Sequence, residues 1–231
     1  MANKESKGCL HQFKKILLWF LILHLAYIIL CKWVDPPITI TQIANSFEGE
    51  GLKRDYVGYN EMGRNIKLAV ISSEDQLFAE HDGFDIKAIK KAMKYNEKHP
   101  EKTRGASTIS QQTAKNVFLW QHGGFFRKGL EVYFTFMIEM IWGKERILEM
   151  YLNVAEMGPG IFGVQAAARK YFKKDAANLT QREAAMIAAC LPNPKKFSVV
   201  PTSRYVNKRA PRIMQQMNNL SGDEEIESLL K

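Results

Sequence analysis

The sequence predicts a mainly α-helical protein, one helical domain carried behind an N-terminal transmembrane helix. Three observations predict it. Residues 16–31, ILLWFLILHLAYIILC, run without a formal charge. Elsewhere apolar positions recur at spacings of three and four between glycine and proline breaks. Stretches that alternate apolar and polar residues, as half-buried strands do, are scarce. With 231 residues, 46% hydrophobic and 25% charged, the chain can fold around one good-sized core. Its formal charge of +9 points to an anionic partner: nucleic acid, a membrane surface or a phosphate-bearing substrate.

Residues 1–15 read as a basic tail in which Lys4, Lys7, Lys14 and Lys15 outnumber Glu5, so the positive-inside tendency keeps it in the cytoplasm. Residues 16–34 read as the anchor. Trp33 and Val34 extend the apolar run to the roughly 20 residues that cross a hydrocarbon core, Lys32 and Trp33 suit its interface, and no small-residue cleavage site follows. The rest is expected outside the cytoplasm, which disfavours nucleic acid. Cys9, Cys31 and Cys190 fall in the tail, at the membrane and in an apolar helical pattern, so no disulfide is expected and Cys190 reads as core.

Residues 35–52 are expected to be an extended or irregular connector opened by Pro36 and Pro37, the domain to run from 53 to 220, and 221–231 to be a frayed acidic tail. In the first domain helix Ile66, Val70, Glu74 and Phe78 follow at spacing four and share a face with Leu77. Glu74 therefore interrupts a buried face, whereas Asp75 lies well round toward the other side. Desolvation raises a carboxyl pKa, the property a proton-transfer group needs. Taken alone, such a glutamate is more often a cap or an arginine partner, so its company elsewhere decides.

Residues 86–104 form a basic amphipathic stretch ending in a polar loop, suited to solvent or to anionic headgroups. Residues 127–142, RKGLEVYFTFMIEMIW, are apolar nearly all round except for Lys128, Glu131, Thr135 and Glu139, which predicts a central helix whose polar stripe lines a cleft. KERILEMYLN continues as helix until MGPG, IFGVQAAARKYF makes another, and Thr180 with Glu183 is a capping box opening a helix that Pro192 closes. The last helix, about 203–220, should bend or break at Pro211.

Two further segments can share a cleft with Glu74. In GASTISQQTAKN, Gly105 and Ser107 suit a helix start with N–H groups free for an anion. Thr108, Gln111, Gln112 and Lys115 share one face, either solvated or meeting a sugar diphosphate through Lys115. In RKGLE, Arg127 and Lys128 stand at a helix start, where the dipole disfavours cations, and so suggest an external anion; Glu131 beside them could orient a nucleophile, hold a leaving group through those cations or pair with them structurally. No metal set is evident; His81, Asp82 and Asp85 lack the partners of a ligand group, and His81 reads as a hydrogen-bonding residue.

SSEDQLFAEHDGFD, GASTISQQTAKN, RKGLE, KERILEMYLN and GIFGVQAAARKYF, in this order and spacing, resemble the successive motifs of the peptidoglycan glycosyltransferases over roughly residues 53–200. The resemblance is to monofunctional members, related to the glycosyltransferase domain of bifunctional penicillin-binding proteins; the Lys-Thr-Gly motif of a transpeptidase is absent, and Ser-x-x-Lys occurs only as Ser228 to Lys231. It implies a lysozyme-like helical domain with a smaller membrane-proximal lobe, held at the cell inner membrane with the catalytic domain periplasmic, that polymerises lipid II into β-1,4 glycan strands with inversion. It also implies Glu74 as general base and Glu131 as second catalytic carboxylate. Lys115, Arg127 and Lys128 would neutralise the diphosphate; Asp75, Ser107, Thr108, Gln111, Gln112 and Asn116 would shape the substrate site. Gly123 stands about where many relatives carry a loop arginine, so the diphosphate leans on Lys115 and Arg127 or on a divalent ion, Mg or Mn, although the sequence requires no cofactor. The expected partners are lipid II, the growing strand, membrane lipid and other wall-synthesis or division proteins. The alternatives are a lysozyme-like glycan hydrolase and an inactive anchored scaffold binding lipid II or glycan.

Overall fold

The computed structural model describes residues 2–121 and 123–231. Met1 and His122 lie outside the described residues, as do the side chains of residues 2–10, including Lys4 and Lys7 of the basic tail. The chain divides into two compact units, Met1–Pro36 and Pro37–Lys231. The first is built on α1 (Ala2–Leu30). Its His11–Leu30 portion is long and apolar enough to cross a membrane, a few residues earlier than the expected 16–34; Trp33 and Val34 follow the helix end.

The second unit is helical, with a small sheet at one edge. α2 (Ile40–Phe47) occupies the expected connector, opened by a capping box in which Thr39 and Gln42 satisfy each other's backbone N–H groups. Proline pairs mask this signal, because they read as irregular chain even where a helix starts three residues later. β1 (Lys53–Arg54) leads to α3 (Arg64–Glu74), α4 (Ile86–Lys98), α5 (Ile109–Phe118), α6 (Phe125–Ile141) and α7 (Lys144–Val154). β2 (Glu156–Gly158) and β3 (Ile161–Phe162) precede α8 (Val164–Phe172), α9 (Gln181–Cys190), α10 (Arg204–Leu220) and α11 (Glu224–Leu230). In sheet order β1-β3-β2, β1 runs parallel to β3 with Lys53 opposite Ile161, and β2 runs antiparallel to it. Ile161 and Phe162, expected to open a helix, belong to that sheet.

The central helix is α7, not the predicted 127–142 segment. Seven of its eleven residues, Ile147 to Val154 apart from Glu149, are buried. α5 packs between α7 and α6, while α3, α9 and α10 pack on one another. In α6 only Glu131, Thr135 and Ile138 are buried, while Phe125, Phe126, Val132, Phe136 and Met140 are exposed. The helix is turned over relative to expectation. Its polar stripe faces protein, with Ser110 donating to Glu139 and Lys144 Nζ 2.8 Å from the same carboxylate. Gly83, at φ +87°, lets the loop after α3 approach this stripe, since a Cβ there would meet Thr135 Cγ2 at 2.8 Å.

The C-terminal end also departs from expectation. α10 passes through Pro211 as one helix, its face held by buried Val206, Ala210, Ile213 and Met217, burial that offsets a missing helical hydrogen bond. The expected frayed tail is α11, capped by Asp223, with Ile226, Leu229 and Leu230 buried; Glu227 pairs with Arg64. The Thr180–Glu183 capping box and the burial of Cys190 are as predicted.

Candidate active site

A cleft of about 940 Å³ opens between the end of α3 and α10 on one side and α4, the 104–108 loop and α5 on the other. Glu74 is the last residue of α3, which stops there rather than continuing to Phe78. Phe78 is buried nonetheless. Glu74 is half-buried and lines the cleft. Burial raises its pKa above the ordinary glutamate value, opposed by hydrogen bonds from Gln112 and Ser73 and by the Arg209 cation, and reinforced by Asp75. The bonds are Gln112 Nε2 to Oε2 at 3.1 Å and Ser73 Oγ to Oε1 at 3.0 Å.

Asp75 is not the exposed neighbour its place on the helix predicted; it is 7% exposed. Because α3 ends before it, Asp75 turns inward as the helix cap. His81 Nε2 lies 2.9 Å from its Oδ1 and Ile109 N donates to its Oδ2 at 3.0 Å. His81 Nδ1 accepts from Gly83 N at 3.1 Å, so Nε2 carries the proton shared with Asp75. This is the hydrogen-bonding histidine expected. Asp75 thereby joins the α3 end to the α5 start, an architectural task.

α5 starts at Ile109, and the structure divides its polar residues into two sets. Thr108 is the N-cap and forms a capping box with Gln111; Thr108 Oγ1 also donates to Gly83 O at 2.7 Å. Gln111 is buried in that box and Asn116 accepts from Gln121 at 3.0 Å, so both are turned away from the cleft. Ser107, Thr108, Gln112 and Lys115 line it. Burial lowers the Lys115 pKa, Glu131 opposes that fall, and Arg127 and Lys128 add to it.

Glu131 is 3% exposed on α6 and does not line the cleft. Arg127 Nη1 donates to it at 2.9 Å and Lys128 Nζ donates to its other oxygen. Of the roles left open for Glu131, the structure shows pairing: Arg127 and Lys128 are engaged by their own helix's carboxylate. A Cβ at Gly123 would lie 2.8 Å from Arg127 Cβ; the glycine leaves the Arg127 side chain its place.

Sequence reading missed Arg209, which reaches the cleft from α10, donating to Ser73 O at 3.4 Å with its Nε buried and lacking a hydrogen-bond partner. It missed Tyr151 behind Gln112, and Lys91 and Arg104 at the far end of the cleft. Arg104 is stacked on Tyr95 at 3.6 Å. Residues 86–104 had read as a face for solvent or anionic headgroups, the segments of Tyr151 and Arg209 simply as helix, and spacing within one segment carries no signal of contact with another. Among the described residues no group of three or more His, Cys, Asp or Glu side chains could hold a metal ion.

A family model described as Transglycosylase matches residues 40–218. The chain is 48% identical over 210 residues to a curated biosynthetic peptidoglycan transglycosylase of Aeromonas hydrophila, covering 89% of each chain. It is 47% identical over 216 residues to the protein of the same name from Pseudomonas aeruginosa, covering 91% of this chain and 93% of the relative. A relative so named from Bdellovibrio bacteriovorus is 48% identical over 209 residues, covering 88% of this chain and 83% of its own.

Proposed function

The chain belongs to the transglycosylase family and is a peptidoglycan glycosyltransferase, and from that premise we propose that Glu74 is the general base with which it polymerises lipid II. One observation carries this reading. Three acids line the cleft. Asp75 is engaged by His81 and Ile109 N, and Asp85 caps α4 through Ala88 N. Glu74 is left as the cleft acid bonded by neutral side-chain donors, Ser73 and Gln112, with a pKa raised by burial.

Glu74 takes the proton of the acceptor sugar's 4-hydroxyl while that oxygen attacks the anomeric carbon of the growing chain. The bond from that carbon to the undecaprenyl diphosphate breaks with inversion, and a β-1,4 bond replaces it. Lys115 meets the charge that builds on the departing diphosphate, where a cation in a desolvated cleft acts most strongly. Glu131 holds Arg127 and Lys128 in register behind Lys115, so its contribution passes through those cations. The occupied state of Glu131 disfavours a hydrolase reading, which needs a second free carboxyl across the cleft.

The cleft acids other than Glu74 are engaged by His81 and by backbone N–H groups, and charge neutralisation by protein is assigned to side-chain cations, Lys115 first; a divalent ion, where one assists, would be held mainly by the diphosphate itself. The exposed apolar face of α6, from Phe125 through Val132 and Phe136 to Met140, is assigned to membrane lipid, with the N-terminus cytoplasmic and the domain periplasmic. In the full chain held in lipid vesicles, Phe136→Asp is expected to reduce contact of the α6 face with lipid, read by a quencher placed in the bilayer, without lowering Tm; unchanged contact argues against the assignment.

The central test is incubation of the detergent-solubilised full chain with labelled lipid II beside Glu74→Gln. Polymer from the parent and none from the variant supports the reading. Polymer from both removes Glu74 as the base.

A further inference from the structure

We propose that Tyr151 is a positioning residue for the transfer: from the central helix α7 its hydroxyl fixes the Gln112 amide in the one orientation that presents an N–H to the Glu74 carboxylate. The inference rests on the reading of Glu74 as the base. Tyr151 is 1% exposed and among the largest fully buried side chains of the molecule. Its hydroxyl lies 3.3 Å from Gln112 Oε1, and Gln112 Nε2 lies 3.1 Å from Glu74 Oε2.

An ionised carboxylate only accepts hydrogen bonds, so the amide NH₂ must face Glu74; the amide oxygen then faces Tyr151, which must donate. A glutamine amide is nearly symmetric in shape, and packing alone does not choose between its two flips. Without a donor behind it, its oxygen can turn toward Glu74 and set two acceptors against each other. Burial raises the Tyr151 pKa well above 10 and the Glu74 charge raises it further, so the phenol keeps its proton and remains a donor over the working range. With Ser73 on the other oxygen, each oxygen of the base has one donor fixed by protein and lone pairs left for the acceptor hydroxyl.

The charged or titratable groups facing Glu74 are Asp75 beside it, Arg209 from α10 and Tyr151 from α7, with Cys190 of α9 also in electrostatic range and Lys115 of α5 on the same cleft wall. Tyr151→Phe removes none of the ionised groups. A displaced acid limb in its pH profile therefore reports the lost hydrogen bond.

The experiment measures initial rates of lipid II polymerisation by the full chain against pH for the parent, Tyr151→Phe, Gln112→Met, the double variant and Glu74→Gln. Loss of a bond that favours the ionised base moves the acid limb of kcat/KM upward by about one pH unit, with KM little changed. Gln112→Met is expected to move it as far, and the double variant no further. A limb that stays in place in Tyr151→Phe, or losses that multiply in the double variant, reduces Tyr151 to core packing and overturns the proposal. Should Tyr151→Phe not fold, an unmoved limb in Gln112→Met overturns it equally. Turnover retained by Glu74→Gln would sink the base assignment instead, which separates the two failures.

Discussion

Glu74 interrupts the apolar face of α3 and Glu131 sits on the polar stripe of α6, and the surroundings of these two acids differ in kind. Glu74 receives neutral donors, an amide and a hydroxyl, and feels Arg209 at longer range. Glu131 is closed by a guanidinium and an ammonium from its own helix, four and three residues back respectively. Neutral donors leave a buried carboxylate basic; two cations compensate it and take its lone pairs. The contrast teaches that a pair of acids in sequence need not be a catalytic pair in space. One is poised to move a proton, and the other sets the place and charge of the cations around it.

The variant pair Glu74→Gln and Glu131→Gln tests that division most severely. Glu74→Gln is expected to remove about a thousandfold or more of the rate, within the range of a lost general base. At neutral pH it should leave Tm unchanged or higher. The sign follows from linkage: a carboxyl whose folded pKa is raised opposes folding at pH above its unfolded value, and a neutral isostere removes that opposition. Glu131→Gln should lose less rate, about tenfold to a hundredfold, but should cost roughly 2–4 kcal/mol of stability, because Arg127 is left buried without its anion while Lys128 can relax into water. Tm measured beside lipid II turnover decides. A dead Glu131→Gln with unchanged Tm would mean that Glu131 acts directly on substrate.

Next in size is Lys115→Met, expected to lower kcat by about a hundredfold, as loss of one electrostatic donor in a shielded site does, with Tm raised or unchanged because burial disfavours its charge. Lysine supplies the cation only below its folded pKa, and that pKa is lowered from the ordinary lysine value. Activity should therefore fall on the alkaline side earlier than for an exposed lysine, and Lys115→Arg should push that limb to higher pH. An alkaline limb that ignores this substitution would remove Lys115 from the leaving-group side of the comparison.

The two acids were unequally legible in the sequence. Spacing along α3 exposed Glu74 as an acid on an apolar face, and that survives. The same spacing misplaced Asp75, because a helix wheel assumes the helix continues and α3 ends at Glu74 itself. The polar stripe of α6 was legible as a stripe, but hydrophobic periodicity identifies two faces without saying which one meets protein. A protein that offers apolar surface to something outside its own fold inverts the rule. Thr108 and Gln111 stand three apart, the pattern of a capping box, recognised at Thr180 and Glu183 yet read as ligand chemistry in a polar run. The α11 dock and the Arg209 and Tyr151 contacts join residues far apart in the chain, and no local pattern carries them.

Arg209 gives the smallest and most discriminating effect. It favours the ionised form of Glu74 from α10 and donates to the Ser73 backbone oxygen, so Arg209→Gln removes a charge from the neighbourhood of the base without removing either of its hydrogen bonds. The acid limb should then move upward by roughly half a pH unit, less than for loss of a direct bond to the carboxylate, and the rate at high pH should change only a few-fold. Arg209 also lines the cleft, so its charge is within reach of an anion that enters. A rise in KM for lipid II with an unmoved limb would transfer Arg209 from the base to the substrate, and the surroundings of Glu74 would then hold only the neutral donors that set it apart from Glu131.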